Sequence, residues 1–133
     1  MPVQFAWLVR AKAPFAAALT AFLVGCGGGV YLGYDYVPDD PPNVDLATST
    51  DVAAPNEAVR LVAAASDDFE VDRVSFYRID NGRSVLLVTD RNAPWQLDTV
   101  IPVDAVGSVR YFARAVDDAG QSRDSAVVTV SIQ

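Results

Sequence analysis

From Asn43 to Gln133, apolar and polar positions alternate in short runs broken by turn residues every 8–12 positions. Val59, Leu61, Ala63 and Ala65 alternate with Arg60, Val62 and Ala64, and Val74 and Phe76 alternate with Ser75 and Tyr77. Val109, Tyr111, Ala113 and Ala115 alternate with Arg110, Phe112, Arg114 and Val116, and Val128, Val130 and Ile132 with Thr129 and Ser131. A period of two, carried by β-branched and aromatic residues, predicts strands with one face buried. Asp80-Asn81-Gly82 predicts a hairpin, because Asn and Gly tolerate the positive φ that a tight turn needs. Asp117-Asp118-Ala119-Gly120 predicts a second turn. Pro94 and Pro102 bracket a short strand around Trp95 and Leu97, placed near a sheet edge because proline removes a ladder donor. The pattern as a whole predicts an all-β sandwich of about seven strands.

The first 42 residues have another pattern. Arg10 and Lys12 precede an apolar run of eleven residues, Pro14 to Val24, and small residues come after it. Eleven residues of helix rise only about 16 Å, roughly half the hydrocarbon thickness of a bilayer. The run is thus too short for a spanning helix and has the layout of an export signal over residues 1–25. Gly27 to Pro42 has glycines at one end, prolines at the other and no hydrophobic period. It predicts a flexible tether over 26–42, spanning about 20–24 Å as coil and up to about 55 Å extended. Tyr31, Tyr34 and Tyr36 along it would suit the headgroup level of a membrane or a partner's surface.

Charge and composition narrow the chemistry. The chain carries 17 acidic and 10 basic residues, a net charge of −7. Residues 1–25 hold two of the bases, Arg10 and Lys12, and no acid, so residues 26–133 carry 8 bases against 17 acids, or −9. An exterior this acidic repels phosphate backbones, which argues against nucleic-acid binding. Histidine is absent and Cys26 is the sole cysteine. The common zinc sites, Ser-His and Cys-His nucleophiles and an intrachain disulfide are therefore excluded.

Leu23-Val24-Gly25-Cys26 resembles the lipobox of bacterial lipoproteins: an aliphatic residue, a tolerant position, a small residue and then cysteine. The resemblance implies a cut between Gly25 and Cys26, a covalent lipid on Cys26 and a membrane anchor. Each buried acyl CH₂ adds about 0.8 kcal/mol, and two or more chains hold firmly where one does not. Gly27, in the position after the cysteine, resembles outer-membrane rather than inner-membrane lipoproteins and implies a cell-envelope location.

The domain resembles the bacterial Ig-like modules repeated in secreted enzymes and adhesins. The matching stretches are Val59 to Asp67, Val71 to Tyr77, Ala93-Pro94-Trp95, Ala113 to Gly120 and Ser125 to Val130, in order. The resemblance covers residues 43–133 and implies an immunoglobulin-like β-sandwich. Phe69-Glu70 depart from it, standing where the first loop usually carries a glycine; an exposed Phe69 there would be anomalous.

Three constellations are candidates for binding. Asp67, Asp68, Glu70, Asp117 and Asp118, from two loops at one end of such a sandwich, are candidate calcium ligands, with Asp124 a further one. Against this, Asp67 and Asp117 suit the capping of their own turns. Arg110, Phe112 and Arg114, on one strand, with Trp95 near them, form a candidate surface for a partner or for glycan. The alternative there is an amphipathic outer face with arginine stems over Phe112. The last strand, Ala126 to Ile132, either offers an edge to a partner or pairs within its own sheet; the second is expected. The function expected is that of a non-enzymatic, membrane-anchored envelope lipoprotein whose domain binds or braces another envelope protein. A carbohydrate-binding or adhesive lipoprotein is the alternative.

Overall fold

The computed structural model describes residues 18–23 and 30–133, which fall into two compact units, Met1–Asp39 and Asp40–Gln133. Within the first unit, β1 (Ala18–Leu23) pairs antiparallel with β2 (Val30–Asp35), Leu23 opposite Val30 and Ala18 opposite Asp35. Part of the stretch expected as tether is thus strand, and coil runs from residue 36 to 42. Val30, Tyr31 and Tyr34 favour extended backbone, and β1 supplies a ladder for it. A cut before Cys26 would take that ladder away. Val24, Gly25, Cys26, the Gly27–Gly29 run, Arg10 and Lys12 lie outside the described residues.

The second unit is an immunoglobulin-like β-sandwich, and no helix occurs among the described residues. One sheet holds β3 (Asn43–Thr48), β5 (Ala58–Ser66) and β8 (Trp95–Val100) in the order β3-β5-β8, all antiparallel. The other holds β4 (Val52–Ala53), β11 (Val128–Ile132), β9 (Ser108–Asp117), β6 (Val71–Asp80) and β7 (Arg83–Asp90), in that order. The short β10 (Ser122–Asp124) also pairs with β9. Seven of these strands have five residues or more, the number the alternation predicts. As expected, β11 pairs within its sheet, antiparallel to β9 and parallel to β4.

The in-phase residues meet between the sheets. Val44, Val59, Leu61 and Ala63 from one side pack with Val74, Phe76, Val109, Tyr111, Ala113, Ala115 and Val130 from the other, and Ile101 closes one end. Burying a side chain such as Leu61 or Phe76 contributes about 1.5–3 kcal/mol. The hairpin forms at the expected place: Asn81 and Gly82 have φ of 51° and 77°, the two positive values of a type I′ turn. β8 is an edge, as its flanking prolines imply. Between β10 and β11 the Ser125 hydroxyl accepts the Ala113 N–H (3.0 Å) and donates to the Ala126 carbonyl (2.8 Å), so the break in the strand leaves no orphaned donor there.

Candidate functional site

The loops β5–β6 and β9–β10 meet at one end of the sandwich, where the Asp118 N–H donates to the Glu70 carbonyl at 3.2 Å. Asp67 caps its turn: its Oδ2 accepts the N–H groups of Phe69 (3.1 Å) and Glu70 (3.2 Å). Asp117, 1% exposed, does the same through Oδ1, which accepts the Gln121 N–H at 2.7 Å. The turn-capping role is therefore present at both aspartates. Each also keeps a spare oxygen, Oδ1 of Asp67 and Oδ2 of Asp117, sealed from solvent without a hydrogen-bond partner. Carboxylate oxygens of the two residues lie within 4.8 Å of each other. The other expected calcium ligands do not join them. Asp68 and Glu70 are exposed, Asp118 is half-buried, and Asp124 is engaged elsewhere by Arg114. Phe69, beside the pair, is 40% exposed, the anomaly its place in the loop suggested.

The candidate binding face is rearranged relative to expectation. Phe112 points away from the core but is only 7% exposed, because the Tyr77 ring lies on it at 4.8 Å with an interplanar angle of 4°. The Arg114 guanidinium stands 5.6 Å from the centre of the Tyr77 ring. Arg114 is clamped there by Asp124, with Nε–Oδ1 at 2.6 Å and Nη2–Oδ2 at 2.9 Å, and this hydrogen bonding raises its pKa above the usual arginine value. Arg110 alone of the three is exposed. Trp95 does not belong to this face: it lies in β8 of the other sheet and packs against the core, with its indole N–H sealed and unpartnered. The residue missed from sequence is Tyr77. Its signal was its phase, since outward positions of adjacent strands stack when in register, and Tyr77 is the register partner of Phe112.

At the opposite end, the β6–β7 turn and the β8–β9 loop enclose a cavity of about 350 Å³ lined by Arg78, Asp80, Pro102, Asp104, Val106 and Ser108. Arg78 and Asp80 form a bidentate pair, both contacts at 2.7 Å. That pairing lowers the Asp80 pKa below the usual carboxylate range. The Tyr111 ring is fully buried, and its hydroxyl has no hydrogen-bond partner. Burial pushes the phenol pKa up, with Arg78 opposing and Asp80 adding to the shift. No sequence motif marks this cavity, which forms from a turn and a loop far apart in the chain.

No protein-family model matches the chain, and no curated protein matches it. Solved structures do. The chain is similar to the fibronectin(III)-like modules of CbhA from Clostridium thermocellum, at 24% identity and a TM-score of 0.52, over 69% of this chain and 45% of that one. It is also similar to the sporulation control protein Spo0M from Bacillus subtilis, at 10% identity and a TM-score of 0.50, over 71% and 50% of the two chains. The chain thus spans about half the length of each of these structures. At such identities the likeness establishes the fold, an immunoglobulin- and fibronectin-like β-sandwich, and leaves function to the residues.

Proposed function

We propose that the chain is the precursor of a non-enzymatic envelope lipoprotein, cut before Cys26 and anchored by lipid on that cysteine, whose sandwich binds or braces another envelope protein. The observation that carries this reading is the Leu23-Val24-Gly25-Cys26 sequence, at the end of an eleven-residue apolar run and on the sole cysteine. The folded unit supports it as an interaction module. Asp67 and Asp117 cap turns, Asp124 pairs with Arg114, and the chain has no histidine to act as a neutral-pH base. The partner surface is the outer face of the larger sheet around Tyr77 and Arg110, with a location in the outer membrane favoured by Gly27. The second reading is glycan binding at the same face, favoured by the exposed Arg110 on the strand that carries Phe112 of the Tyr77–Phe112 stack.

The anchor is tested by feeding cells a clickable fatty acid and following the tagged full-length chain. Label and membrane fractionation are expected for the wild type and are lost in Cys26→Ser; an unlabelled wild type refutes the lipid anchor. The partner is tested by crosslinking in cells followed by mass spectrometry, with Cys26→Ser as control. Repeated capture of one envelope protein by the anchored chain alone is the expected result. Retention on purified peptidoglycan, with no protein captured, would establish the glycan reading instead.

A further inference from the structure

Strand β7 is the outer edge of the larger sheet, bonded to β6 on one side and to no strand on the other among the described residues. Its sequence, Arg-Ser-Val-Leu-Leu-Val-Thr-Asp, has the same chemistry read in either direction, except that its two ends carry opposite charges. Laid antiparallel on a second copy of itself, it sets Arg83 against Asp90, Ser84 against Thr89, Val85 against Val88 and Leu86 against Leu87. Both ends then carry an attractive pair, and every other position meets its own kind.

In a regular strand this register is forbidden. Directly opposed residues of antiparallel strands share a face, and faces alternate along the chain, so positions an odd number apart cannot be opposed across a two-fold axis. The bulge removes the obstacle. Phe76 of β6 stands opposite Val88 and Tyr77 opposite Leu86, which leaves Leu87 as an extra residue. As a result Arg83, Val85, Val88 and Asp90 stand opposite Asp80, Arg78, Phe76 and Val74, on one face. Ser84 and Thr89 stand opposite Ile79 and Ser75, on the other. Within each of the three outer pairs of the self-paired register the two residues therefore share a face, and the irregularity falls at the axis. The edge is also apolar where natural edges usually carry charge: Val85, Leu86 and Val88 are 38%, 53% and 36% exposed, and no charged residue falls between Arg83 and Asp90.

We propose that β7 is a self-pairing edge through which two copies of this chain form a dimer, their larger sheets joined antiparallel across a two-fold axis at Leu86 and Leu87. Charge complementarity selects the second copy over a foreign strand, because Arg83 and Asp90 satisfy each other twice in that register.

The test uses the full chain in detergent, with masses from density-matched sedimentation. A monomer–dimer equilibrium is expected for the wild type. Arg83→Asp or Asp90→Arg places like charges at both ends and weakens the dimer by about tenfold. The double reversal Arg83→Asp/Asp90→Arg restores it, a rescue that simple misfolding would not show. A second arm places cysteines at Ser84 and Thr89. These positions lie roughly 17 Å apart along one strand, too far for a disulfide within the chain. Oxidation in membranes is expected to give a covalent dimer that reductant reverses, while the chain holding only Cys26 gives none. A monomeric wild type, a dimer indifferent to the single reversals, or disulfides only to another protein would each overturn self-pairing.

Discussion

Tyr111→Phe is expected to stabilise the sandwich. Tyr111 has no exposed surface, and its hydroxyl oxygen is sealed without a partner. In the unfolded chain that hydroxyl is hydrated, so folding removes its water and returns nothing. A buried polar group left in this state costs about 1–3 kcal/mol. Phenylalanine keeps the ring and its packing against the core, so the substitution removes the penalty without opening a cavity worth counting. For a unit the size of Asp40–Gln133, a gain of even 1 kcal/mol raises Tm by about 4–8 °C. The pH dependence gives a second signature. Burial raises the phenol pKa in the folded state, so its contribution is fully present below the unfolded value of about 10 and is lost as pH rises through the higher folded value. Wild type should therefore lose stability above about pH 10 relative to Tyr111→Phe, in which that step is missing. Thermal and urea denaturation at pH 7 and pH 10.5 measure both effects. A loss of 1 kcal/mol or more in the variant at pH 7 would overturn this expectation and show that the hydroxyl holds a hydrogen bond in the folded protein.

Phe112→Ala removes a side chain that is covered despite facing outward, and is expected to lower stability by about 3 kcal/mol in urea denaturation; a change under 0.5 would mean that the Tyr77 stack contributes nothing. Asp67→Ala strips the cap from two backbone N–H groups and should cost about 1 kcal/mol, equally with and without calcium. If instead millimolar Ca²⁺ raises the wild-type Tm, and the substitution abolishes the rise while Mg²⁺ does nothing, the spare oxygens of Asp67 and Asp117 hold the ion. Asp80→Asn breaks a partly exposed ion pair and should cost at most about 1 kcal/mol at pH 7. Because Arg78 holds the Asp80 pKa below its ordinary value, that contribution is present above about pH 4 and disappears as pH falls through the lowered value. Wild type and variant should therefore converge at pH 2, and a difference that persists there would place the effect in the turn rather than in the charge.

The strands were legible in the sequence because burial on one face writes itself as alternation. Leu61, Phe76, Tyr111 and Val130 fall on the inner face in step with their runs. Turn chemistry was equally legible, since Asn81 and Gly82 can take the positive φ that few other residues accept. What stayed hidden depends on which strands become neighbours. Alternation puts Trp95 and Phe112 each on a strand but does not say that the strands lie in different sheets. It gives Phe112 an outward place but not the ring that covers it, because Tyr77 lies 35 positions away in the chain. The five acidic residues of two loops looked alike by composition. Burial and turn geometry then separated Asp67 and Asp117, which cap turns, from Asp68, Glu70 and Asp118, which do not.

The direction in which the chain enters the sandwich constrains how a lipid-anchored dimer would sit. Asn43 pairs with Ser66, at the end that carries Asp67 and Asp117, so the tether leads to that end and the cavity lined by Arg78 and Asp80 lies at the other. Antiparallel pairing of β7 would set the two copies head to tail, with their tethers at opposite ends of the joined sheets. Upright domains in one membrane satisfy that only if the copy whose entry end is distal reaches back along the sandwich through its tether. The length allows it, because the ten residues of β6 span only about 33 Å, and a tether of the length of Gly27–Pro42 extends to about 55 Å. The dimer therefore requires the tether to be free of any fixed structure. The β2 strand would have to be given up once β1 is removed with the signal, which ties the proposed assembly to processing at Cys26. Uncleaved precursor should accordingly crosslink through the Ser84→Cys/Thr89→Cys pair less than the mature chain does, when both are compared in the same membranes.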